Sequence, residues 1–242
     1  MKALILNSGL GHRMGVLTSE HPKCMTPISA IDTILSRQLK LIAAAGITEV
    51  VMTTGYFDKV LVDYCESLKL PLHYTFVNNP LYAQTNYIYS IYCAKEYLDD
   101  DILLMHGDLV FEESVLEDLL NYQASCMKVS STIALPEKDF KARITGGRVS
   151  AIGVNVFGEE CVASQPAYRF LRKDFCRWME EIRRFVERGE RTCYAENAFN
   201  AAWEEIPLYP LDVGGRLCAE IDNPEDQARV CAQFLRTVRS KA

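Results

Sequence analysis

The residues best suited to chemistry lie near the N-terminus, directly after a short apolar run. Gly9 and Gly11 stand two residues apart, a spacing that lets backbone N–H groups point into one concavity suited to phosphate oxygens. Arg13 and Lys23 follow and supply positive charge where such phosphates would lie. A Gly-x-Gly pair alone is equally typical of a plain turn, and the stretch is neither a Walker A motif nor a dinucleotide fingerprint. The prediction of a phosphate-binding loop therefore depends on the glycines and the cations together.

The elements around this loop alternate between strands and helices. Apolar runs predict strands, and helical spacing predicts helices between them. The predicted strands are 3–7, 50–52, 72–77 and 102–105, and the predicted helices are 33–45, 58–68, 86–98 and 112–121. This alternation implies a parallel sheet with helices on both faces, and the continuous apolar strands fit a sheet that is buried on both sides.

The pattern changes after about residue 126. Strand-like pieces and short helices replace the regular alternation, and a Gly146-Gly147 turn separates the first two pieces. The predicted strands are 129–133, 149–157, 208–213 and 217–221, and the predicted helices are 174–188, 196–205 and 224–239. The second half therefore looks like a mixed cap on the first.

Composition excludes several classes of protein. The 242 residues include 26 Lys+Arg and 32 Asp+Glu, and the net charge of −6 argues against a nucleic-acid or anionic-membrane partner. No apolar stretch is long enough to span a membrane, and the N-terminal apolar run is too short for a signal peptide. The 9 cysteines are scattered without a C-x-x-C pair, which predicts buried thiols in a reducing cytoplasm and no zinc site.

The loop and the later acidic motifs resemble a known enzyme class. They resemble the signature of the nucleotidyltransferases that join an NTP to a phosphorylated small molecule, of the sugar-nucleotide and phosphocholine cytidylyltransferase type. The matching positions are Gly9, Gly11, Arg13, Thr18, Pro22 and Lys23, then His106-Gly107-Asp108 and Glu220-Ile221-Asp222. The resemblance implies a Rossmann-like, mostly parallel mixed sheet flanked by helices, with a small lid insertion. It also implies catalytic roles for Arg13 and Lys23.

The opening of the loop points to a narrower group. Asn-Ser replaces the usual Ala-Ala of sugar enzymes, and the chain here resembles the phosphonoalkyl cytidylyltransferases, which activate 2-aminoethylphosphonate with CTP. The segments that carry this resemblance are Asn7-Ser8-Gly9, Asn78-Asn79-Pro80, Thr85-Asn86-Tyr87 and residues 136–141. The resemblance implies nucleotide binding by Asn7, Ser8, Gly9, Gly11, Asn79 and Thr85.

Asp108 and Asp222 match the two metal-binding aspartates of this class. Each follows an apolar run, so both carboxylates are expected at one edge of the sheet, where open α/β sheets bind ligands. Mg²⁺ takes hard oxygen ligands, so these two residues are the predicted magnesium ligands. The alternative is that each aspartate caps the helix that follows it.

Further residues are candidates to bind the second substrate. Lys138 and Lys141 are predicted to hold the phosphonate or to polarise the α-phosphate, with a solvated loop surface as the alternative. Glu196 and Asn197 favour a primary ammonium, although an acidic residue such as Glu196 also simply suits the first turn of a helix. A quaternary ammonium would instead need an aromatic cage. The candidates for such a cage are Tyr82, Tyr87, Tyr89, Tyr168 and Trp203.

These features together predict a cytoplasmic, Mg²⁺-dependent cytidylyltransferase acting on CTP and 2-aminoethylphosphonate. A phosphocholine or phosphoethanolamine cytidylyltransferase stays open, as do UTP in place of CTP and a homodimer. A non-catalytic nucleotide sensor is the rival from another class, but it would not need the two cations and the two aspartates together. We expect one domain over residues 1–242, with a nucleotide-binding half (1–125), a substrate-binding or lid half (126–215), and a closing strand and helix (216–242).

Overall fold

A computed structural model describes residues 1–240, and the first half of the chain folds as the sequence predicts. Four parallel strands lie in the order β4-β1-β2-β3. They are β1 (Lys2–Leu6), β2 (Glu49–Thr54), β3 (His73–Asn78) and β4 (Ile102–His106), connected through α1 (Ile34–Ala44), α2 (Asp58–Ser67) and α3 (Tyr87–Cys93). The predicted helix 86–98 ends at Cys93, and a separate 3₁₀ turn covers Lys95–Tyr97.

The second half adds strands to the same sheet, mostly by antiparallel pairing, and also forms a separate two-stranded sheet. Its elements are β5 (Leu109–Phe111), α4 (Glu113–Asn121), β6 (Cys126–Ser130), β7 (Lys141–Thr145), β8 (Arg148–Gly153), β9 (Cys161–Phe170), α5 (Arg172–Glu187), α6 (Ala195–Ala202), β10 (Tyr209–Asp212), β11 (Cys218–Glu220) and α7 (Pro224–Ser240). β9 pairs antiparallel with both β4 and β6, so the full order is β10-β6-β9-β4-β1-β2-β3. The fold is therefore a mixed, mostly parallel α/β sheet flanked by helices.

The long strand β9 is the main element that the sequence pattern does not predict. It contains Pro166, which lacks a backbone donor and argues against a central strand. The structure accommodates the proline at an irregularity, because the register with β6 shifts between Met127 and Lys128, opposite residues 165–168. The β7–β8 hairpin turns at Gly146-Gly147, as the sequence predicts.

Alternate residues of the central strands point to two hydrophobic cores, one on each face of the sheet. Leu4 and Leu104 point to the core beneath α3, α5 and α6, whereas Ala3 and Ile5 point to the core beneath α1, α2 and α4. A third, smaller cluster joins Met14 of the glycine loop to residues of β11 and α7. The loop and the C-terminal elements are thus packed together. Within residues 1–240, no helix combines the length and the apolar character needed to cross a membrane.

Candidate active site

The candidate site lies at the carboxyl ends of β1 and β4, where the glycine loop meets the motifs that contain Asp108 and Asp222. Two adjoining cavities of about 400 Å³ and 350 Å³ open there. The smaller one, called here the loop cavity, is lined by Gly9, Gly11, Arg13 and Lys23. The larger one, called here the acceptor cavity, extends from Gly9 toward the second half of the chain. Both cavities share Gly9, Arg13 and the two predicted metal ligands along their common border.

The glycine loop owes its shape to backbone geometry. Gly11 has a φ of +66°, in the left-handed region where a side chain is strained, and a Cβ there would lie 3.3 Å from the Cβ of Lys23. The hydroxyl of Thr18 donates to the carbonyl of Gly11 at 3.2 Å and closes the turn. Gly11 therefore allows the chain to fold back and bring Lys23 to the cavity.

Lys23 is the electrostatic centre of the site. Its Nζ lies 2.6 Å from Asp108 Oδ2 and also contacts Asp222 Oδ1. Burial disfavours these charges, yet the two carboxylates raise the pKa of Lys23, and Lys23 holds the pKa of Asp108 below its ordinary value. Arg13 Nη2 lies 2.8 Å from Asp222 Oδ1, and its side chain is 69% exposed. The structure thus brings together all four residues that the sequence analysis placed at the centre.

The two aspartates form a donor set that fits Mg²⁺. Both carboxylates contact one ammonium, so their oxygens lie close together at the border of the two cavities. Asp108 Oδ1 is buried and has no hydrogen-bond partner among the described residues, so this oxygen is free to accept a ligand. Neither aspartate caps the helix that follows, because Glu112 holds the N-cap position of α4 and Asn223 Oδ1 accepts from the N–H of Asp226 at the start of α7.

A hydrogen-bond network beneath the acceptor cavity ties the loop to the sheet. Ser8 Oγ lies 2.9 Å from Thr53 Oγ1 and 2.8 Å from Ser90 Oγ. Asn79 Nδ2 donates to Ser90 Oγ and to Thr85 Oγ1, each at 3.0 Å. Ser8, Asn79 and Thr85 all line the acceptor cavity, so the predicted nucleotide-binding residues are gathered at one end of it. Asn7 lies in the loop cavity, with a buried side chain packed against Gly107.

The opposite end of the acceptor cavity contains His106 and Glu220, which sequence reasoning did not select. His106 Nδ1 lies 3.2 Å from Glu220 Oε1, and both residues line the cavity. Burial lowers the pKa of His106, but the hydrogen bond and the charge of Glu220 outweigh it and raise that pKa to about 9. Each residue stands two positions before one of the aspartates. Each also ends a strand, so its position just before a predicted metal ligand was the available signal.

Aromatic side chains form one wall of the acceptor cavity. The ring of Tyr194 lies 5.8 Å from that of Tyr87 and 4.7 Å from that of Phe140, measured between centroids. Tyr82 lines the cavity near its other end. Of the five predicted cage residues, Tyr82 and Tyr87 line this cavity, whereas Tyr89, Tyr168 and Trp203 belong to the core beneath α3, α5 and α6.

Three residues predicted to bind the second substrate do not line either cavity. Lys138 does reach the acceptor cavity, but Lys141 is fully buried on β7, where its Nζ donates to the carbonyl of Pro136 at 2.8 Å. Asn197 is exposed on α6, one position outside the buried face of that helix. Glu196 is buried, and its carboxylate accepts hydrogen bonds from two tyrosines. The structure thus does not bring Lys141, Glu196 or Asn197 to either cavity.

The fold and the site define a class of protein, and comparisons with known proteins identify its family. The model of the MobA-like NTP transferase domain matches residues 3–200, and the chain belongs to this family. It is accordingly a nucleotidyltransferase.

Three relatives illustrate the likeness. CMP-5'-(3-aminopropyl)phosphonate synthase of Streptomyces rubellomurinus is 37% identical over 121 residues, which are 49% of this chain but only 19% of that protein. CTP:phosphoglutamine cytidylyltransferase of Campylobacter jejuni is 25% identical over 81% of this chain and 82% of its own length. The structure of CTP:phosphocholine cytidylyltransferase from Streptococcus pneumoniae has a TM-score of 0.78 at 21% identity, covering 96% of this chain and 98% of that one. The last likeness supports the fold.

Proposed function

We propose that this nucleotidyltransferase is a Mg²⁺-dependent cytidylyltransferase that joins CTP to 2-aminoethylphosphonate, giving CMP-2-aminoethylphosphonate and pyrophosphate. The observation that carries the proposal is the position of Lys23. Its buried ammonium and the carboxylates of Asp108 and Asp222 lie where the loop cavity borders the acceptor cavity. A phosphate bound in the loop cavity would meet an acceptor from the other cavity at this border.

The residues of the loop cavity would bind and orient the triphosphate. Backbone N–H groups around Gly9 and Gly11 suit phosphate oxygens, and Arg13 and Lys23 neutralise the charge that builds up as two anions approach. Asp108 and Asp222 would hold Mg²⁺, which when bound supplies further neutralisation of phosphate charge. Catalysis in this account consists of positioning and charge neutralisation.

The reaction needs no general base, because the attacking phosphonate oxygen is already an anion. A bond forms between this oxygen and the α-phosphorus of CTP, and the bond from the α-phosphorus to the bridging oxygen of the β-phosphate breaks. Pyrophosphate leaves with that bridging oxygen and its electron pair. The chain's own task is to hold the two reactants in line at the border of the cavities.

The acceptor cavity is lined by a cation and by carboxylates, which supports an acceptor that carries both an anion and an ammonium. Lys138 suits the phosphonate, and Asp139 and Glu220 supply carboxylates for the ammonium. The names of the three relatives support a cytidine nucleotide and a small phospho- or phosphonate acceptor. The 3-aminopropylphosphonate in one of those names is one methylene longer than the acceptor proposed here.

Phosphocholine is the second candidate acceptor, and the aromatic wall favours it. A quaternary ammonium is recognised by aromatic faces, and Tyr87, Tyr194 and Phe140 lie next to one another on this wall. In this alternative the loop cavity and the aspartates have the same functions. The two candidates differ only in the chemistry at the amine end.

The test is a matrix of pyrophosphate release, with CTP, UTP, ATP and GTP each combined with 2-aminoethylphosphonate, 3-aminopropylphosphonate, phosphoethanolamine and phosphocholine. We expect the highest kcat/KM for CTP with 2-aminoethylphosphonate. A preference for phosphocholine would contradict the proposed acceptor, and a preference for another NTP would contradict the proposed nucleotide. Absence of pyrophosphate release in every combination would contradict the proposal as a whole.

A further inference from the structure

The carboxylate of Glu196 is buried but lies outside both cavities. The residue is 2% exposed, in the first turn of α6. Tyr168 Oη donates to its Oε1 at 3.0 Å, and Tyr87 Oη donates to its Oε2. Both carboxylate oxygens therefore already have a phenol partner.

The two phenols belong to different parts of the molecule. Tyr87 is the first residue of α3, and its ring lines the acceptor cavity. Tyr168 is on β9, is 2% exposed and belongs to the core beneath α3, α5 and α6. One carboxylate thus connects a helix, a strand and a residue of the cavity wall.

Neighbouring contacts fix the start of α6 and the segment before it. The N–H of Asn86, just before α3, donates to the carbonyl of Arg191 at 2.8 Å, and Trp178 Nε1 of α5 donates to the carbonyl of Ala195, the first residue of α6, at 3.0 Å. Burial and the nearby Glu196 carboxylate raise the pKa of Tyr87 well above its ordinary value, so its phenol stays protonated and able to donate. In this hydrogen bond the Tyr87 phenol is therefore the donor and the Glu196 carboxylate is the acceptor.

We propose that Glu196 is a positioning residue for acceptor recognition, which fixes the ring of Tyr87 in the wall of the acceptor cavity and does not itself contact the acceptor. The identity of the acceptor rests on the function proposed above. Without the carboxylate, the Tyr87 phenol loses its buried partner, and the ring is free to turn into the cavity or away from it. Binding of the acceptor then suffers, whereas the triphosphate end, on the other side of Asp108, does not.

The kinetic test compares four variants. Glu196→Met and Tyr87→Phe each break the hydrogen bond, and each should raise the KM for the acceptor by roughly 5- to 20-fold while the KM for CTP stays within about twofold. The double variant should lose no more than the worse single variant, because the two residues act through one contact. Tyr168→Phe is the matched control: it removes a phenol from the same carboxylate away from the cavity, and the acceptor KM should change by less than about twofold.

Glu196→Gln separates positioning from direct contact with an ammonium. An uncharged amide still accepts from one phenol and offers a donor to the other, so the acceptor KM should stay near that of the unmodified protein. A large loss in Glu196→Gln that disappears with ethylphosphonate, which has no amine, would overturn the inference in favour of a direct ion pair. Additive losses in Glu196→Met and Tyr87→Phe would also overturn it.

A spectroscopic test does not depend on the acceptor. The protein is labelled with 3-fluorotyrosine, and the ¹⁹F resonance of Tyr87 is assigned as the one missing from Tyr87→Phe. In Glu196→Met we expect this resonance to shift and broaden, and in Glu196→Gln to stay narrow. An unchanged Tyr87 resonance in Glu196→Met would contradict the positioning role even if the enzyme proved to use another acceptor. Failure of the unmodified protein to release pyrophosphate would contradict the proposed function alone.

Discussion

At the scale of single residues, the site depends on a lysine that is held between two carboxylates. Lys23 and its partners are 14–20% exposed, so their charges interact through protein more than through water. Removal of one member leaves the remaining charges poorly compensated. This loss destabilises the protein more than replacement of the whole cluster by apolar residues would. The cluster therefore joins the stability of the loop to its chemistry.

Lys23→Met should affect both rate and metal binding. Loss of a contact that favours the transition state typically costs about 10²–10³ in rate, so we expect a fall in kcat with a smaller change in the KM for CTP. The two aspartates, no longer neutralised by the ammonium, should gain more from Mg²⁺. Millimolar Mg²⁺ should therefore raise the Tm of the variant more than that of the unmodified protein.

Arg13→Met is the matched control for this prediction, because Arg13 is largely exposed and, among the described residues, forms its ion pair with Asp222. Arg13→Met should also lower kcat, but the rise in its Tm on addition of Mg²⁺ should be smaller than that of Lys23→Met. If Lys23→Met changed only the KM for CTP, then Lys23 would bind nucleotide without favouring the transition state.

Asp108→Asn tests the predicted metal ligand. The amide keeps the size of the side chain but loses the charge, so we expect turnover to be abolished and the Mg²⁺-dependent rise in Tm to shrink. Asp99→Asn is the control, since Asp99 is exposed and pairs with Arg172 at the surface. Near-normal turnover of Asp108→Asn, or turnover of the unmodified protein in excess EDTA, would contradict the metal site.

Residues of the loop could be predicted because their spacing is local. Gly11, Arg13 and Lys23 follow one another within a short segment, and their cavity is formed by that segment. His106 and Glu220 could not be paired from the sequence, because 114 positions separate them and only the sheet brings them together. The sequence predicts Lys141 as a substrate contact with a solvated loop as the alternative, whereas in the structure its ammonium donates to backbone carbonyls inside the protein.

At the scale of elements, the ends of strands β1 and β4 must approach closely to form the site. The N–H of Gly107, directly after β4, donates to the carbonyl of Leu6 at 3.1 Å. A Cβ on Gly107 would lie 1.7 Å from Asn7 Oδ1 and 2.9 Å from the Leu6 carbonyl oxygen. A side chain at this position would thus separate the loop from Asp108.

Gly107→Ala should therefore lower both Tm and kcat, since the backbone carrying Asp108 must shift. Gly9→Ala is the matched control, because a Cβ on Gly9 has no atom within 4 Å. It should keep the Tm within about one degree and affect only nucleotide binding. Thermal unfolding and steady-state kinetics of both variants check this. Equal Tm values for the two would contradict the close approach of the strands.

Strand β9 shows why one element of the second half is not predicted from the sequence, although α5, α6, α7, β8, β10 and β11 lie where the sequence predicts them. Its neighbour β4 is short and almost entirely apolar, but β9 mixes apolar residues with Ser164, Gln165 and Pro166. Ser164 and Gln165 are nevertheless buried, because the strand lies between two others in the middle of the sheet. A local sequence pattern predicts a strand from its hydrophobicity. Strand β9 instead forms because it pairs with the two strands on either side of it.

At the scale of the whole molecule, a partly buried ion cluster connects the first half of the chain to the C-terminal elements. Lys128 of β6 is fully buried, and its Nζ lies 2.7 Å from Asp118 Oδ2 of α4. Arg216, just before β11, lies 2.5 Å from the same oxygen. The cluster is remote from Lys23 and joins three elements that support the position of Glu220 and Asp222.

Asp118→Asn should destabilise the fold without a direct effect on chemistry. It leaves the Lys128 ammonium buried without a carboxylate, and we expect a loss of about 1–3 kcal/mol, moderated because Asp118 itself is 41% exposed. Denaturant unfolding measures the loss, and kcat at a temperature where the variant is folded should stay near normal. A loss no larger than that of Asp99→Asn would show that the cluster is unimportant.

The overall architecture was predictable because strands and helices alternate regularly through residue 121. Parallel strands require crossover helices, so the order of elements specifies most of that topology. The antiparallel additions obey no such rule, and their place in the sheet depends on long-range pairing between β9 and its two neighbours. Several residues that line the acceptor cavity, among them Phe140 and Tyr194, come from this less predictable half.

In the proposed reaction, the enzyme forms an anhydride between the α-phosphorus of CTP and a phosphonate oxygen. The most direct test is ³¹P NMR of a reaction containing the protein, Mg²⁺, CTP and 2-aminoethylphosphonate. We expect the product to give two mutually coupled ³¹P signals, one from the phosphonate and one from the phosphate. Both should grow in step with the pyrophosphate signal. Formation of CMP or CDP without coupled phosphonate signals, while phosphocholine yields a coupled product, would contradict it.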